Sequence, residues 1–223
     1  MKQAEHPGPT HAVAQAHANP PALIIAGPTC SGKSALALRL AQQLNGVIIN
    51  ADSMQVYRDL RVLTARPDER EEQLAPHKLY GVLPAAQKGS VAWWREQALA
   101  AMQQAWCAGQ LPILCGGTGM YMRALTDGLA QIPECAESVR QEARTLVEVE
   151  GAPAVHARLM AVDPQTAMRL KPVDSQRVAR AWEVWRGTGQ GLDWWGGPRP
   201  PAPPPGPGFV LGGAPARPAA RGP

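Results

Sequence analysis

The segment that most constrains the fold is a glycine-rich loop between an apolar run and a run with helical spacing. Ala22–Ala26 has the sequence ALIIA, and Gly27–Ser34 has the sequence GPTCSGKS. The loop matches the pattern GxxxxGK[ST], in which backbone amides surround a phosphate at the N-terminus of a helix. The confirming context is present, because an apolar strand precedes the loop and residues 34–44 have apolar residues at helical spacing. The chain is therefore predicted to have a P-loop α/β fold.

Further strand and helix patterns alternate along the chain. Gly46 breaks the first helix, and short apolar runs follow at Val47–Asn50 and Leu111–Cys115. A weaker strand pattern covers 78–83, and amphipathic helices are predicted from Ser90, as N-cap, to Trp106 and over 120–126. This alternation predicts an open parallel sheet flanked by helices, with residues 22–130 as its core.

The alternation of strand and helix patterns ends at about residue 130. Residues 131–171 contain helical, charge-rich segments and are predicted to be a helical insertion. Residues 172–192 are predicted to be a helix that returns to the core, with Asp174 as its N-cap. Residues 1–21 and 193–223 are predicted to be disordered. Residues 196–223 hold ten Pro and seven Gly, so we interpret this tail as a product of a shifted reading frame rather than a natural flexible tail.

Composition excludes some classes of function and leaves others open. The net charge is +4, but residues 22–192 hold 18 basic and 16 acidic residues, so only clustering can argue for nucleic acid. The four cysteines form no CxxC pair, which favours reduced thiols and a cytoplasmic protein. No apolar run approaches the ~20 residues that cross a bilayer. Without heptad repeats, a monomer is expected.

Three residues carry chemistry by their place in the pattern. Lys33 supplies a charge to a bound phosphate, and Ser34 supplies a hydroxyl for Mg²⁺. Asp52 follows the second strand, at the edge where open α/β sheets bind their ligands. It could hold Mg²⁺, bind a ribose, act as a base or only cap the turn at Ser53. The strand Leu111–Cys115 ends in GGTG without the acid that a P-loop ATPase has there.

Five segments in this order resemble the tRNA dimethylallyltransferase family, also called isopentenylpyrophosphate transferases: GPTCSGKS, DSMQVY, TARP, LPILCGGTGMYMRAL and DSQRVARAWEV. The resemblance covers residues 22–192. It implies transfer of a dimethylallyl group from dimethylallyl diphosphate to the exocyclic amine of an adenine beside the tRNA anticodon. The partners would be dimethylallyl diphosphate and the anticodon stem-loop, with Mg²⁺ as cofactor. The P-loop would then hold the leaving group.

The resemblance also implies roles for individual residues. Asp52 would be the general base, with Lys33 and Thr118 in the catalytic site. The diphosphate would be held by Gly27, Pro28, Thr29, Cys30, Ser31, Gly32, Lys33 and Ser34, and Ser34 would hold the metal. The tRNA would be bound by Asp52, Ser53, Met54, Gln55, Thr118, Arg140, Gln176, Arg177, Val178, Ala179 and Arg180.

Less specific interpretations remain open for several of these features. Arg140 and Arg144 share a predicted helix with three glutamates, so surface ion pairs explain them equally well. Arg177 and Arg180 share a helical face and could simply be solvated. The P-loop also fits a small-molecule or nucleotide kinase. Because the family continues with further helices where this chain has its Pro/Gly tail, a catalytically impaired tRNA-binding remnant is a third hypothesis. Five tryptophans at helical spacing are expected in the core: Trp93, Trp94, Trp106, Trp182 and Trp185.

Overall fold

A computed structural model describes residues 20–130, 132–196 and 209–213. Its contacts divide the described residues into two compact units. The first unit contains residues 20–85, 98–117 and 209–213, and the second contains residues 86–97, 118–130 and 132–196. Apart from residues 20 and 21, the segment 1–21 that the sequence predicts to be disordered lies outside the described residues.

The first unit is built on a parallel sheet, as predicted. The described residues form it from five strands in the order β3-β2-β4-β1-β5, and every pair is parallel. The apolar runs become its centre because a strand covered on both faces buries every side chain. The strands are β1 (Ala22–Ala26), β2 (Gly46–Asn50), β3 (His77–Lys78), β4 (Leu111–Gly116) and β5 (Phe209–Gly213).

Helix α1 (Lys33–Gln43) covers one face of this sheet. Its buried residues Ala37 and Ala41 pack against Ile25 and Ile113. Gly46 begins β2 because a Cβ there would lie 2.6 Å from Ile113 Cδ1 and 3.0 Å from the Ala41 Cα. Helix α2 (Glu69–Leu74) starts with a capping box, and helix α3 (Val91–Cys107) contributes residues to both units.

The strand expected over 78–83 is wrong in extent. Within the segment 77–83, His77 and Lys78 pair with β2, and Leu83 makes an isolated bridge to Tyr57. Leu79 and Gly81 have positive φ angles of 64° and 59°, which are incompatible with an extended strand. The chain therefore turns twice where an alternating apolar pattern predicted continuous pairing.

The second unit is helical. Its core joins Ala143, Val155, Leu159, Val178 and Trp182. The helices are α4 (Gly119–Thr126), α5 (Glu137–Glu150), α6 (Ala152–Val162), α7 (Pro164–Ala167), α8 (Ser175–Thr188) and α9 (Leu192–Trp195).

Helix α8 corrects the predicted domain limits. The sequence assigns residues 172–192 to the sheet core, but α8 packs in the helical unit, where Val178 and Trp182 meet α5 and α6. Its N-cap is as predicted, since the Asp174 side chain accepts the Arg177 N–H. The apolar face of α8 specifies burial without specifying its partner, which is why the pattern alone placed it wrongly.

The tail also differs from its prediction. Residues 192–195 form α9, and Phe209–Gly213 pair with the whole of β1. The disorder predicted for 193–223 is therefore wrong for these segments, and the other tail residues lie outside the described part. A composition averaged over 28 residues hides a short run such as FVL, and backbone pairing needs no particular side chains. In residues 20–130, 132–196 and 209–213, no helix has the length and apolarity to span a bilayer.

Candidate active site

The P-loop connects β1 to α1 and has the conformation of an anion cradle. Gly32 is the N-cap of α1 with φ 84°, and Cys30 also has a positive φ of 63°. Lys33 Nζ donates a hydrogen bond to the Pro28 carbonyl at 3.1 Å. Ser31 Oγ is buried without a hydrogen-bond partner among the described residues. A buried hydroxyl without a partner is costly, so the loop is built to receive a further polar group.

The electrostatics of this loop favour an anion. The positive end of the α1 dipole points into it, and the first turn of α1 contains no acidic residue. Lys33 adds a full positive charge at the same helix end. Backbone N–H donors, the helix dipole and an ammonium group thus all act on the small space that the loop surrounds.

Asp52 is the second residue after the end of β2 and is half-buried. Its Oδ1 accepts the Met54 N–H at 2.9 Å, so the turn-capping role considered for this residue is present. Its Oδ2 lies on the side of Gly117, 3.8 Å from where a Cβ on that glycine would be. One carboxylate oxygen holds the turn, and the other faces the end of β4.

The end of β4 brings the P-loop and Asp52 together. A Cβ on Gly117 would lie 3.3 Å from the Gly27 carbonyl oxygen as well as 3.8 Å from Asp52 Oδ2. At Gly116 no side chain fits, because a Cβ would lie 2.1 Å from the Ala51 carbonyl carbon. The first two glycines of GGTG therefore allow the carboxyl ends of β1, β4 and β2 to approach closely.

Cys115 occupies the strand end where a P-loop ATPase has an acid. It is 2% exposed and packs in the cluster that includes Ala37 of α1. Burial raises the pKa of the Cys115 thiol to about 11, although the Lys33 charge and a hydrogen bond with Ser34 oppose the shift. The sheet edge beside the P-loop thus carries a neutral thiol at neutral pH, and the carboxyl group at this edge is that of Asp52.

The residues beside the P-loop suit a magnesium ion bound mainly by its substrate. The described residues contain no group of three or more His, Cys, Asp or Glu that could enclose a metal. Mg²⁺ commonly keeps its waters and takes one or two protein ligands together with phosphate oxygens. The exposed Ser34 hydroxyl at the start of α1 fits this arrangement.

The segment after Asp52 is only partly available to a ligand. Ser53 is half-buried and Met54 is 48% exposed. The Gln55 amide nitrogen donates to the Thr64 carbonyl at 2.8 Å and to the Ala65 carbonyl at 3.2 Å. Gln55, which the resemblance assigned to tRNA binding, therefore holds a neighbouring loop with its amide nitrogen.

In the second unit, two arginines assigned to tRNA share one carboxylate. Glu183 is 6% exposed, and its Oε1 lies 3.5 Å from Arg140 Nε and also accepts a hydrogen bond from Arg180. Arg140 additionally pairs with Glu137 at 2.6 Å. Partial burial of Arg140 opposes its charge, but Glu137 and then Glu183 outweigh this and raise its pKa. The ion-pair alternative for Arg140 is thus present in the structure.

The remaining residues of QRVAR differ in exposure. Arg177 is exposed, with a peripheral contact of 3.5 Å to Asp174, whereas Val178 is fully buried. The Val178 side chain packs in the helical core, and the tRNA contact that the resemblance implies at Val178 stays a prediction. A groove of about 440 Å³ runs between α5 and α8 and is lined by Arg144, Val147, Glu148, Ser175, Gln176, Ala179, Arg180 and Glu183.

Thr118 belongs to the second unit, where it is the N-cap of α4 without a side-chain capping bond.

Sequence reasoning missed Asn50, Cys115 and Glu183. Asn50 is a polar residue at the end of an apolar strand and is fully buried, which is a signal the sequence offered. Glu183 lies between two tryptophan-containing turns of an apolar helix face, and this position also signals a buried charge.

Family models match most of the chain. A model described as IPP transferase matches residues 55–217, and one described as isopentenyl transferase matches residues 21–81. The first match extends through β5, which agrees with its place in the sheet.

Individual relatives and solved structures agree with these matches. The chain is 63% identical over 185 residues to a tRNA dimethylallyltransferase of Granulibacter bethesdensis, covering 83% of this chain and 58% of the relative. It is 64% identical over 174 residues to one of Gluconobacter oxydans, covering 78% and 52%. A eukaryotic dimethylallyltransferase acting on tRNA superposes with a TM-score of 0.74 at 25% identity, covering 87% of this chain and 48% of that one. A Bacillus halodurans tRNA isopentenylpyrophosphate transferase gives 0.50 at 34% identity, covering 76% and 56%. The chain spans about half the length of the curated relatives it matches.

Proposed function

The chain belongs to the IPP transferase family of tRNA dimethylallyltransferases, and we propose that its first unit binds dimethylallyl diphosphate and transfers the prenyl group to an adenine amine of tRNA. The observation that carries this proposal is the approach of the P-loop and Asp52 to one glycine, Gly117. An anion cradle and a carboxylate base on two sides of one small space suit a displacement at carbon that releases diphosphate.

The proposed reaction makes and breaks one bond at the prenyl carbon. The exocyclic nitrogen of the adenine attacks that carbon while the bond to the diphosphate oxygen breaks. Asp52 takes the proton that the nitrogen loses. A positioned base of this kind accelerates a reaction by about 10²–10⁴-fold. The diphosphate gains negative charge as it leaves, and the P-loop amides and Lys33 stabilise this charge. Mg²⁺ held at Ser34 would supply further charge neutralisation.

The target adenine must leave its stack for the amine to reach the prenyl carbon. In a single-stranded anticodon loop this costs at most a few kcal/mol. We propose that the second unit contributes RNA contacts through the α5–α8 groove, where Gln176 and Arg180 lie beside Arg144. The exposed Arg177 adds a charge that is available to a phosphate.

The test is transfer of radiolabel from dimethylallyl diphosphate to an anticodon stem-loop RNA, comparing the chain with its Asp52→Asn variant. Loss of the base should lower kcat by about 10²–10⁴-fold and leave the Kd of the prenyl donor within a few-fold, because the P-loop is unchanged. An Asp52→Asn variant with full activity would contradict the base assignment.

Two further measurements, ATP turnover and stem-loop binding, separate the kinase and remnant hypotheses from prenyl transfer. Consumption of ATP with a small acceptor and without RNA would indicate a kinase. Salt-dependent stem-loop binding without transfer would indicate an RNA-binding remnant.

A further inference from the structure

The side chain of Asn50, the last residue of β2, is committed to the backbone around Asp52. Asn50 is fully buried. Its Oδ1 accepts the Asp52 N–H at 2.9 Å, and its Nδ2 donates to the Asp52 carbonyl at 3.0 Å. One amide group therefore holds both polar groups of the Asp52 backbone, which is the most that a donor-and-acceptor side chain can do for one residue.

The same amide nitrogen also holds a strained turn. It donates to the Leu79 carbonyl at 3.1 Å, and Leu79 has a φ of 64°. A left-handed conformation is unfavourable for a residue with a Cβ, so it persists only where neighbours hold it. Two residues further on, the Gly81 N–H donates to the Gln55 carbonyl at 2.9 Å. The turn 79–81 is thus tied to the chain on both sides of Asp52.

We propose that Asn50 is a positioning residue that fixes the Asp52 carboxylate for proton removal. The inference rests on the proposed function. The Asp52 carboxylate is itself anchored through Oδ1 to the Met54 N–H, so its direction follows the backbone of this turn. With the backbone held by Asn50, Oδ2 stays on the side of Gly117. A displacement of about 1 Å at a reacting group can cost on the order of 10²-fold in rate.

The test uses two substitutions and a matched control. Asn50→Ala removes all three hydrogen bonds. Asn50→Asp keeps the size and the acceptor but removes the donors and adds a charge beside Asp52. Asn45→Asp makes the same chemical change just before the other end of β2, about 16 Å away along the strand. The exposed Asn45 amide donates to the Gly109 carbonyl at 3.3 Å, so this control removes an amide hydrogen bond outside the site.

The first measurement is prenyl transfer across pH. Asn50→Ala should lower kcat about 10- to 100-fold and leave KM for dimethylallyl diphosphate within about twofold, because the P-loop does not depend on Asn50. Asn50→Asp should move the acid limb of the pH profile of kcat to higher pH, since a second carboxylate disfavours ionisation of Asp52. Asn45→Asp should change neither quantity. Full kcat in Asn50→Ala, or an equal loss in the control, would overturn the inference.

The second measurement does not depend on activity. Hydrogen exchange of the Met54 amide reports whether Asp52 Oδ1 is held in place. We expect exchange at least tenfold faster in Asn50→Ala, with unchanged exchange in α1. A uniform increase across the first unit would mean a general structural role and would overturn the inference, as would unchanged exchange at Met54. If the wild-type chain transfers no prenyl group, the proposed function fails, and exchange at Met54 still decides whether Asn50 holds Asp52.

Discussion

Single residues of the site divide into those that a local motif predicts and those that tertiary pairing creates. Lys33, Ser34 and Asp52 lie in short patterns whose spacing fixes their place relative to a strand end. Asn50 reaches Leu79 over 29 positions, and Cys115 meets the P-loop only because β4 lies next to β1. The bond of Asn50 to Leu79 and the packing of Cys115 depend on strand order and turn geometry, which no short pattern encodes. The residues within the short motifs could therefore be predicted from the sequence, whereas the residues that pack around them could not.

The buried thiol of Cys115 gives the protein a measurable pH dependence. In the folded state its pKa is raised from 9.0 to about 11, so above pH 9 the unfolded chain loses this proton first. The stabilisation is complete below pH 9 and is lost as the pH rises towards 11. Wild type should lose about 2–3 kcal/mol of unfolding free energy over this window through this group. Urea denaturation at pH 8 and pH 10.5 measures it.

The variant Cys115→Ala measures the thiol together with its electrostatic coupling to Tyr80. Tyr80 remains in both proteins, and its pKa is raised first by burial and then by the charge of Cys115. The variant should start less stable at pH 8 because it leaves a small cavity. Its stability should then fall less steeply with pH than that of wild type. Parallel pH curves for the two proteins would contradict the assignment.

Among the elements, helix α8 shows how far a sequence pattern reaches. The cap at Asp174 and the spacing of Trp182 and Trp185 predicted its start and its buried face, and Val178, which the resemblance assigned to tRNA, also lies on that face. The pattern places Glu183 on the buried side but does not reveal that it lies between Arg140 and Arg180. Those arginines face a carboxylate from their own unit, and this pairing depends on where α5 packs. Of the arginines in QRVAR, the structure leaves Arg177 the more exposed, at 74% against 43% for Arg180.

We expect Arg180→Ala and Arg177→Ala to have different effects. Arg180→Ala should destabilise the protein by about 1–2 kcal/mol, less than the ~3–5 kcal/mol for breaking a buried pair, since Arg140 still faces Glu183. Arg177→Ala should change stability by less than about 0.5 kcal/mol but reduce the salt dependence of stem-loop binding by about one charge. Chemical denaturation and RNA titrations at several salt concentrations measure both.

Arg186→Ala is the matched control on the same helix. Arg186 pairs with Glu142 of α5 at 3.1 Å, and both side chains are 46% exposed. Its loss should cost less than about 1 kcal/mol, as for other exposed ion pairs. If Arg186→Ala and Arg180→Ala were equally destabilising, burial of Glu183 would not be the cause.

For the whole molecule, the fold class was predictable but the limits of its parts were not. Strands of continuous apolar residues separated by helices imply a parallel sheet, and the sheet is parallel throughout its described strands. The strand order, the place of α8 and the pairing of β5 all depend on contacts between segments far apart in sequence. The FVLGG run is short and is surrounded by Pro and Gly, so the composition of the tail predicted disorder instead of a strand.

The contribution of β5 is tested by two deletions. Removing residues 197–223 takes away the strand that pairs with Ala22–Ala26, whereas removing residues 214–223 keeps it. The first deletion should lower the unfolding free energy by on the order of 2–5 kcal/mol, because several backbone hydrogen bonds are lost at about 0.5–1.5 kcal/mol each. It should also increase aggregation, since the edge of β1 becomes available to other chains. Light scattering and urea denaturation measure these effects. Equal stability of the two deletions would show that β5 contributes nothing.

The hydrogen bond from Lys33 to the Pro28 carbonyl has a consequence for ligand choice. In this conformation the ammonium group already has an acceptor, so any incoming anion competes with a neutral oxygen for it. A weakly basic, singly charged ion such as chloride gains little from that exchange, whereas a diphosphate with several charged oxygens gains much more. The hydrogen bond to Pro28 therefore makes the loop more selective, because it favours binding of multiply charged anions over singly charged ones.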